Sequence, residues 1–375
     1  MTGIHRVGNE FTAAVVRTPG SPFVLEQVRQ TELLENEVLV KIVATGICHT
    51  DMIARDQDYL VPHPIVLGHE GAGVVEAVGD SVLKVTPGDH VVLTFLSCSS
   101  CRECISGHPA CCENFRDRNF SGHRIDGSHA LADQQGGTLN DRFFGQSSFG
   151  EYAVANEQNV VKVRKDAPLE LLGPLGCGIQ TGAGTVLNSL KVGPGSSFAA
   201  FGAGAVGLAA VMAASAAGAT TIIAVDIVPS RLKLAMEVGA THTIDSTQGN
   251  VAEQIRAITG KGVEFSLDAT GIPAVINTMI DCLRSRGEGA IIGLSKPGEK
   301  FTLDPMDLLN NCKTLRGVVE GDSLPDQFIP TMIDLYMAGR FPFDKLIKFY
   351  DFSQINQAAE DSEKGLTLKP VVRFS

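Results

Sequence analysis

Four cysteines lie close together in the sequence, and their spacing is typical of a metal site. Cys98, Cys101, Cys104 and Cys112 are separated by two, two and seven residues. Four thiolates at this density, in a segment with little hydrophobic periodicity, predict a closed tetrahedral zinc site that substitutes for a hydrophobic core. A group of inert thiols and an iron–sulfur centre are the alternatives. Cys111 competes with Cys112 for the fourth position, because spacing alone does not separate them.

Three further residues have the chemistry of a second metal site but no short-range spacing. They are Cys48, His69 and Cys177. Two thiolates and one imidazole leave one open position on a tetrahedral zinc ion, which is the composition of a catalytic rather than a structural site. The alternative is that each is a buried cysteine or a hydrogen-bonded core histidine. From the residues alone this second site is a hypothesis.

A glycine-rich turn in the second half of the chain matches a dinucleotide-binding fingerprint. Residues 202–207 read Gly-Ala-Gly-Ala-Val-Gly and follow a predicted strand. Gly202 makes the turn, Gly204 lets the backbone approach a pyrophosphate, and Gly207 lets the following helix pack on the strand. A glycine-rich helix start without a ligand is the alternative.

An acidic residue follows the fingerprint at the distance that a ribose ligand requires. Asp226 ends the next predicted strand, 19 residues after Gly207. A carboxylate at this point binds both ribose hydroxyls and repels a 2′-phosphate, so it favours NAD over NADP. Arg231 either reaches the adenosine ribose or lies in solvent.

The elements around the fingerprint alternate between strands and helices, which predicts an α/β domain with a doubly wound parallel (Rossmann) sheet. The predicted strands are Ser197–Phe201, Thr221–Val225, Thr241–Ile244, Phe265–Asp268 and Ala290–Leu294. The predicted helices are Ala205–Ala217, Pro229–Val238, Val251–Ile258 and Ala274–Leu283.

The remainder of the chain reads as short strands and loops, for example Val38–Val43 and Gly73–Val78. The region between Cys98 and Phe149 has little periodicity, and its length predicts a metal site or a functional loop. The apolar run 368–374 is expected to return to the first domain. We therefore predict a zinc-binding domain at 1–180 and 320–375 and an inserted NAD-binding domain at 181–319.

Composition excludes several classes of protein. The 375 residues carry 31 Lys+Arg and 42 Asp+Glu, a net charge of −11, which suits neither nucleic acid nor anionic lipid. The uncharged stretch Val192–Val225 contains Pro194 and six glycines, unlike a membrane span. Residues 1–6 contain no apolar signal segment, so we predict a cytoplasmic protein with reduced thiols.

In combination, these motifs resemble the zinc-dependent medium-chain alcohol dehydrogenases along nearly the whole chain. The resemblance rests on Gly46-Ile47-Cys48-His49-Thr50-Asp51, Gly68-His69-Glu70-Gly71, Gly176-Cys177-Gly178, the four-cysteine loop and the glycine fingerprint with Asp226. Within the family the chain is most similar to bacterial aryl-alcohol (benzyl-alcohol) dehydrogenases. The resemblance implies a β-rich GroES-like catalytic domain, NAD, and two zinc ions per chain.

The resemblance also implies roles for individual residues. Cys48, His69 and Cys177 become ligands of a catalytic zinc. Asp51 corresponds to the carboxylate that orients the ligand histidine, Glu70 to an acidic residue behind the zinc, and Thr50 to the hydroxyl that takes the proton from the alcohol. His49 and Lys369 occupy positions where relatives place basic residues on the pyrophosphate. One position departs from the liver-type pattern: Ile53 stands where those relatives have a histidine that ends a proton relay.

The implied reaction is reversible hydride transfer from a primary, aromatic alcohol to NAD. Tyr59, Phe95 and Leu294 fall where the family lines its substrate pocket, with ordinary core packing as the alternative. A glutathione-dependent formaldehyde dehydrogenase is the nearest enzymatic alternative, because the long loop carries basic residues for an anionic substrate, namely Arg116, Arg118 and Arg124.

An alternative from another class is a zinc- and NAD-binding redox sensor without turnover. The family resemblance further implies a homodimer or homotetramer, assembled through an exposed sheet edge around Thr302–Val319.

Overall fold

The computed structural model describes residues 8–374, and its chain divides into two compact units. One unit comprises the chain up to Cys177 together with Leu324–Ile333 and the residues from Asp344 onward. The other comprises Gly178–Ser323 and Asp334–Phe343, so it takes up a short segment that the sequence interpretation left with the first domain. Residues 1–6, on which the cytoplasmic prediction rests, lie outside the described part.

The chain up to Cys177 forms strands and short helices. Its strands are β1 (Glu10–Val16), β2 (Val24–Gln30), β3 (Glu37–Gly46), β4 (Ile65–Val66), β5 (Gly71–Val78), β6 (His90–Leu93), β7 (Leu131–Asp133), β8 (Thr138–Leu139), β9 (Tyr152–Asn156) and β10 (Val160–Lys162). Its α-helices are α1 (His49–Arg55), α2 (Arg102–Ile105), α3 (Phe115–Phe120) and α4 (Leu169–Leu172).

The second unit alternates strands and helices. Its strands are β11 (Ser197–Phe201), β12 (Thr221–Asp226), β13 (His242–Asp245), β14 (Val263–Asp268), β15 (Leu283–Ile291) and β16 (Thr314–Gly317). Its helices are α5 (Gly178–Gly184), α6 (Ala205–Ala216), α7 (Pro229–Glu237), α8 (Val251–Thr259), α9 (Pro273–Asp281) and α10 (Pro305–Asn311).

The C-terminal part begins with α11 (Pro325–Met337), which starts in the first unit and ends in the second. From Asp344 onward the chain belongs to the first unit and contains β17 (Ile347–Asp351), α12 (Ile355–Glu363) and β18 (Lys369–Arg373). Short 3₁₀ turns lie at Pro109–Cys111, Phe143–Gly145, Glu157–Asn159, Gly173–Gly176, Glu320–Asp322, Phe343–Leu346 and Phe352–Gln354, and a π turn lies at Thr185–Ser189.

Two sheets build the first unit. One has the order β4-β1-β2-β7-β8, and the other has the order β10-β6-β5-β3-β18-β17, with β9 also paired to β3. β18 runs antiparallel to β3 and parallel to β17, so the apolar tail joins a sheet of the first unit. Most β-branched residues of β3 are buried on this sheet, whereas in β5 Val75 is buried and Val74 and Val78 are half-buried.

One parallel sheet, ordered β13-β12-β11-β14-β15-β16, builds the second unit. All five strand pairs are parallel, which confirms the predicted doubly wound architecture. The strands β11 to β14 and the helices α6 to α8 lie within two residues of their predicted bounds. In α6 every residue from Gly207 to Ala214 is buried, because small side chains let the helix lie close to the sheet.

The predicted strand Ala290–Leu294 is wrong in its bounds. β15 begins at Leu283, where a helix was predicted to end, and stops at Ile291. Its first half, Arg284–Glu288, is polar and mostly exposed, so its sequence lacks the apolar run that identifies a buried parallel strand. Within the described residues β16 pairs with β15 alone, so the sheet edge predicted around Thr302–Val319 lies at Thr314–Gly317. No helix among residues 8–374 is long and apolar enough to cross a bilayer.

Candidate metal centres and cofactor site

The structure brings the three dispersed ligand candidates together. Cys48 precedes α1, His69 lies between β4 and β5, and Cys177 follows the turn at Gly173–Gly176. Ligand atoms of these residues and of Glu70 all lie within 4.8 Å of one another. Residues separated by more than 100 positions thus converge in one cluster, in which Cys48 is half-buried and the other residues are buried. Sequence spacing alone did not predict this cluster.

Asp51 orients this cluster from the first turn of α1. Its Oδ1 accepts hydrogen bonds from His69 Nδ1 at 2.9 Å and from the Gly68 amide at 3.1 Å. Its Oδ2 accepts from the Cys48 amide at 2.9 Å, so one fully buried carboxylate holds two of the three candidate ligands. A carboxylate bound to the far nitrogen of a ligating histidine fixes its tautomer and ring orientation.

The second imidazole nitrogen of His69, Nε2, is the atom at which a metal ion would bind. His69 Nε2 is buried and, within the described residues, has no hydrogen-bond partner. Because Asp51 occupies Nδ1, Nε2 is left to face the cysteines. A buried polar atom without a partner is costly, and a metal ion bound here would remove that cost. The donor set of two sulfurs and one imidazole nitrogen fits zinc.

Hydrogen bonding and charge in the cluster favour the thiolate form of Cys48. The hydrogen bond from Cys177 holds the pKa of Cys48 well below its usual value, although burial opposes this and Lys369 assists it. Burial favours the neutral form of His69, but Asp51 and Cys48 outweigh it and raise the pKa of the ring well above its usual value. The thiolate is the form of cysteine that binds metals.

Glu70 and Lys369 form a buried ion pair beside the cluster. Lys369 Nζ donates to both carboxylate oxygens of Glu70, at 2.8 and 2.9 Å, and each residue is almost fully buried. Burial raises the pKa of Glu70, and the charge of Lys369 opposes this shift. The ammonium group thus lies on Glu70 here, and its contact with a pyrophosphate stays a prediction.

The remaining candidates around Cys48 occupy the start of α1. Thr50 Oγ1 lies 3.7 Å from Cys48 Sγ, so its hydroxyl is beside the cluster. His49 is exposed, and Ile53 is half-buried one turn after Thr50.

The four clustered cysteines also converge, and the structure separates the two candidates for the fourth position. Cys98, Cys101, Cys104 and Cys112 form one group whose ligand atoms lie within 4.8 Å of one another. Cys111 is exposed and lies outside this group. Burial opposes ionisation of Cys98, but amide hydrogen bonds from residues 100 and 101 lower its pKa to about 5.

The second unit holds the glycine fingerprint in the predicted context. Gly202 adopts φ +93°, a conformation that favours glycine, and a Cβ on Gly207 would lie 1.8 Å from the Gly202 carbonyl oxygen. A Cβ on Gly204 would meet nothing within 4 Å, so space is open at the start of α6. Open space at a helix N-terminus suits the phosphates of a dinucleotide.

Asp226 lies at the end of β12 beside this turn. Its carboxylate accepts hydrogen bonds from the Ala203 amide at 2.6 Å and from the amides of residues 227 and 228. Arg231 Nη1 is 4.0 Å from Asp226 Oδ2, and both residues line a cavity of about 980 Å³ that also includes Gly202 and Gly204. The cavity lies within the second unit, and its volume is at the upper end of the range of ligand pockets.

The predicted pocket residues fall on both units. Tyr59 is half-buried, with its ring 4.5 Å from that of Phe120. Phe95 is only 3 % exposed and belongs to a hydrophobic core, where its ring lies 5.8 Å from Phe115. Leu294 is exposed on the second unit.

Two residues near His69 were missed by sequence reasoning. Phe144 stacks on the imidazole with a centroid distance of 4.4 Å and an interplanar angle of 20°. Gln146 donates to the His69 carbonyl oxygen. The adjacent pair Phe143-Phe144 in an otherwise polar loop is the only signal that the sequence offered.

The basic residues of the long loop have unequal surroundings. Arg124 is buried and donates to both carboxylate oxygens of Glu37, and to backbone carbonyls. Arg116 is exposed, and its guanidinium carbon lies 5.0 Å above the Tyr59 ring. Arg118 is half-buried. Arg124 therefore has a structural partner, and the predicted role in binding an anionic substrate is untested for Arg116 and Arg118.

Comparisons with known proteins agree with this arrangement. Residues 34–165 match the alcohol dehydrogenase GroES-like domain family, and residues 205–338 match the zinc-binding dehydrogenase family. A geraniol dehydrogenase of Castellaniella defragrans is 49 % identical over 364 residues, covering 96 % of this chain and 97 % of that protein.

Two solved structures are similar over 98 % of this chain and 100 % of theirs. A zinc-binding-domain alcohol dehydrogenase protein of Burkholderia ambifaria has 58 % identity and a TM-score of 0.97. A benzyl alcohol dehydrogenase of Acinetobacter calcoaceticus has 51 % identity and a TM-score of 0.95. With its GroES-like and Rossmann domains, the chain belongs to the zinc-dependent medium-chain alcohol dehydrogenase family.

Proposed function

We propose that this protein reversibly oxidises a primary alcohol of the benzyl type to its aldehyde, with NAD as hydride acceptor. One observation carries the proposal: Cys48, His69 and Cys177 converge, and His69 Nε2 is buried without a hydrogen-bond partner among residues 8–374. Three protein ligands leave a tetrahedral zinc ion one position for substrate. We assign a second, structural zinc ion to the four-cysteine cluster.

The names of the relatives support a substrate class rather than one compound. Geraniol and benzyl alcohol are both primary alcohols whose carbinol carbon is bonded to an sp² carbon. An aldehyde formed from such an alcohol is conjugated, and the planar group next to it suits contact with aromatic rings. The buried ring of Phe144 stacks on the His69 imidazole. The half-buried ring of Phe120 contacts the ring of Phe144 on one side and the half-buried ring of Tyr59 on the other. Allylic and benzylic alcohols therefore form the proposed class.

The residues of α1 would handle the proton. Zinc would supply a Lewis acid that lowers the pKa of the alcohol hydroxyl towards neutrality. We assign to Thr50, whose hydroxyl oxygen lies 3.7 Å from Cys48 Sγ, the role of accepting the proton of the alcohol substrate. Asp51 would hold His69 and the Cys48 backbone in position while this occurs.

A substrate panel tests the proposal directly. With NAD as the cofactor, kcat/KM would be measured for benzyl alcohol, geraniol, ethanol and S-hydroxymethylglutathione. The zinc content per chain would be measured on the same protein. We expect two zinc ions per chain and the highest values for benzyl alcohol and geraniol. The highest value for S-hydroxymethylglutathione would establish the formaldehyde dehydrogenase alternative, with Arg116 and Arg118 as carboxylate ligands. One zinc ion and no turnover would instead favour a redox sensor.

Replacing Asp226 should change the choice of cofactor. In Asp226→Gly we expect the preference for NAD over NADP, measured as the ratio of kcat/KM values, to fall about 10- to 100-fold, because a charged hydrogen bond to the ribose contributes about 1.5–3 kcal/mol. The ratio is the proper measurement, since the lost bond to the Ala203 amide affects both cofactors alike. Asp245→Gly, at the end of neighbouring β13, is the control and should keep the ratio. An unchanged ratio in Asp226→Gly would refute the assignment.

A histidine at position 53 should change the pH dependence of alcohol oxidation. Positions 50 and 53 lie on one face of α1, so Ile53→His adds a proton acceptor beside Thr50. Only the neutral imidazole accepts a proton, so the rate gain should appear above a pH of about 6.5 and disappear below it. Profiles of kcat/KM against pH would be compared for wild type, Ile53→His and the apolar control Ile53→Leu. Identical profiles would mean that proton transfer does not limit the reaction here.

Assembly into a homodimer or homotetramer and location in the cytoplasm stay predictions. Light scattering of the purified protein and fractionation of the source cells would test them.

A further inference from the structure

The backbone that carries His69 is held by a loop with unusual conformation. Within residues 142–147, Arg142, Phe144 and Ser147 adopt positive φ angles of 69°, 52° and 51°. Left-handed backbone at bulky residues is unfavourable, and it persists where surrounding contacts impose it. The loop therefore has a fixed shape, and its contacts identify what that shape positions.

After this turn the loop follows the segment that leads to His69. The amides of Ser148 and Phe149 donate to the carbonyl oxygens of Gly68 and Leu67, at 2.9 and 3.0 Å. At His69 this backbone pairing is replaced by contacts from the side chain of Gln146.

The Gln146 amide joins three backbone groups. Its Nε2 donates to the carbonyl oxygens of His69 at 3.0 Å and Thr94 at 3.2 Å, and its Oε1 accepts from the Gly71 amide at 3.1 Å. The residue is 1 % exposed. A buried amide with this many bonds has one orientation, so it ties the His69 backbone to Thr94 at the end of β6.

Thr94 continues the connection to the other side of the metal cluster. Its hydroxyl donates to the Gly176 carbonyl oxygen at 2.8 Å, and Gly176 directly precedes Cys177. The approach at this point is close, because a Cβ on Gly176 would lie 2.1 Å from the Leu93 carbonyl oxygen. Through Gln146 and Thr94, the segments of His69 and Cys177 are therefore joined without passing through a ligand side chain.

We propose that Gln146 is a positioning residue that, through Thr94, sets the separation of the His69 and Cys177 ligands and thereby the affinity and geometry of the zinc site. This inference rests on the proposed function, because it requires that these residues hold zinc. Gln146 does not touch the reacting atoms. Its effect is on the ligands, as expected for groups that support a metal site from outside its coordination sphere.

The test compares Gln146→Met, which keeps the size of the side chain, with a matched control. Asn119 is also a buried amide with three backbone bonds, to Leu96 N, Leu96 O and Phe115 O, and none of these bonds leads to the His69 or the Cys177 segment. Zinc release from the full-length holoenzyme to a coloured chelator would be followed for Gln146→Met and Asn119→Leu. Each of these two variants loses a buried hydrogen-bonding amide, so each should be less thermally stable than wild type.

The proposal predicts different metal behaviour for the two variants. In Gln146→Met one zinc ion per chain should leave about 10- to 100-fold faster than in wild type, and the visible absorption bands of the cobalt(II)-substituted protein should shift. Asn119→Leu should keep the wild-type release rate of that ion and its cobalt spectrum. If Gln146→Met does not fold, Thr94→Val removes the hydroxyl bond to Gly176 and should give the same changes.

Two failures are distinguishable. A wild-type protein that holds only one zinc ion per chain contradicts the proposed function. A wild type with two zinc ions, and a folded variant with unchanged release rate and cobalt spectrum, overturns the role of Gln146 alone.

Discussion

Cys48→Ser is expected to abolish alcohol oxidation and to remove one of two zinc ions per chain. Cys48 lies within 4.8 Å of the other candidate ligands, and interactions with Cys177 and Lys369 lower its pKa. A serine hydroxyl does not ionise near neutral pH, so the donor set loses a thiolate. Lewis-acid assistance is worth several kcal/mol, so kcat/KM should fall by at least about 10³-fold.

The fold should survive this change, because Cys48 is half-buried and its amide, which donates to Asp51, is retained. Zinc analysis, kcat/KM and circular dichroism of the same preparation give the three readouts. Cys312→Ser is the matched control, since Cys312 is exposed and belongs to neither cysteine cluster. It should retain both zinc ions and full activity. A Cys48→Ser protein with two zinc ions and wild-type turnover would show that this cluster is not the catalytic centre.

The parts of the fold that sequence predicts well are those with local signals. The strands and helices around the fingerprint have apolar runs, Pro229 at a helix start and glycines at turns, and they form close to their predicted bounds. β15 departs from prediction because its first half, Arg284–Glu288, is polar and contains an irregularity: the register with β14 shifts between Leu283 and Glu288. Neither an apolar run nor an alternating pattern marks such a segment as a strand.

The candidate site also has residues with a local sequence signal and residues without one. The four-cysteine cluster was predictable because its ligands are near in sequence, and only the choice between Cys111 and Cys112 required the fold. The dispersed set was predictable only through family resemblance, since no local pattern connects Cys48 with Cys177. Gln146 was not predictable, because an isolated glutamine in a loop carries no pattern, and its three bonds arise only when the loop folds against His69.

Lys369 has a contact that the resemblance did not predict. Its position indicates a pyrophosphate ligand, which stays a prediction, and its ammonium group is buried on Glu70. Each of the two charges is costly to bury alone, so removing either would leave an uncompensated charge beside the metal cluster. A substitution of Lys369 would therefore affect stability as well as cofactor binding, and its kinetic effect alone would not identify its role.

Cys112→Ser is expected to unfold the four-cysteine loop. Between residues 97 and 114 only Ala110 and Cys112 are buried, so the segment has almost no hydrophobic core of its own. Zinc binding to four-ligand sites supplies on the order of 10 kcal/mol in small zinc domains, which is more than such a loop gains from packing. Losing one thiolate should therefore remove the structural zinc and expose the loop to protease.

Cys111→Ser is the matched control, because the adjacent thiol is exposed and lies outside the cluster. We expect Cys111→Ser to keep two zinc ions and wild-type resistance to limited proteolysis. Cys112→Ser should keep one zinc ion and be cleaved within 97–114. The reverse result, with Cys111→Ser losing zinc, would mean that Cys111 is the fourth ligand. Retention of both zinc ions by each variant would show that three thiolates suffice. Because the two substitutions are chemically identical and one residue apart, any difference between them arises from the position of the thiol.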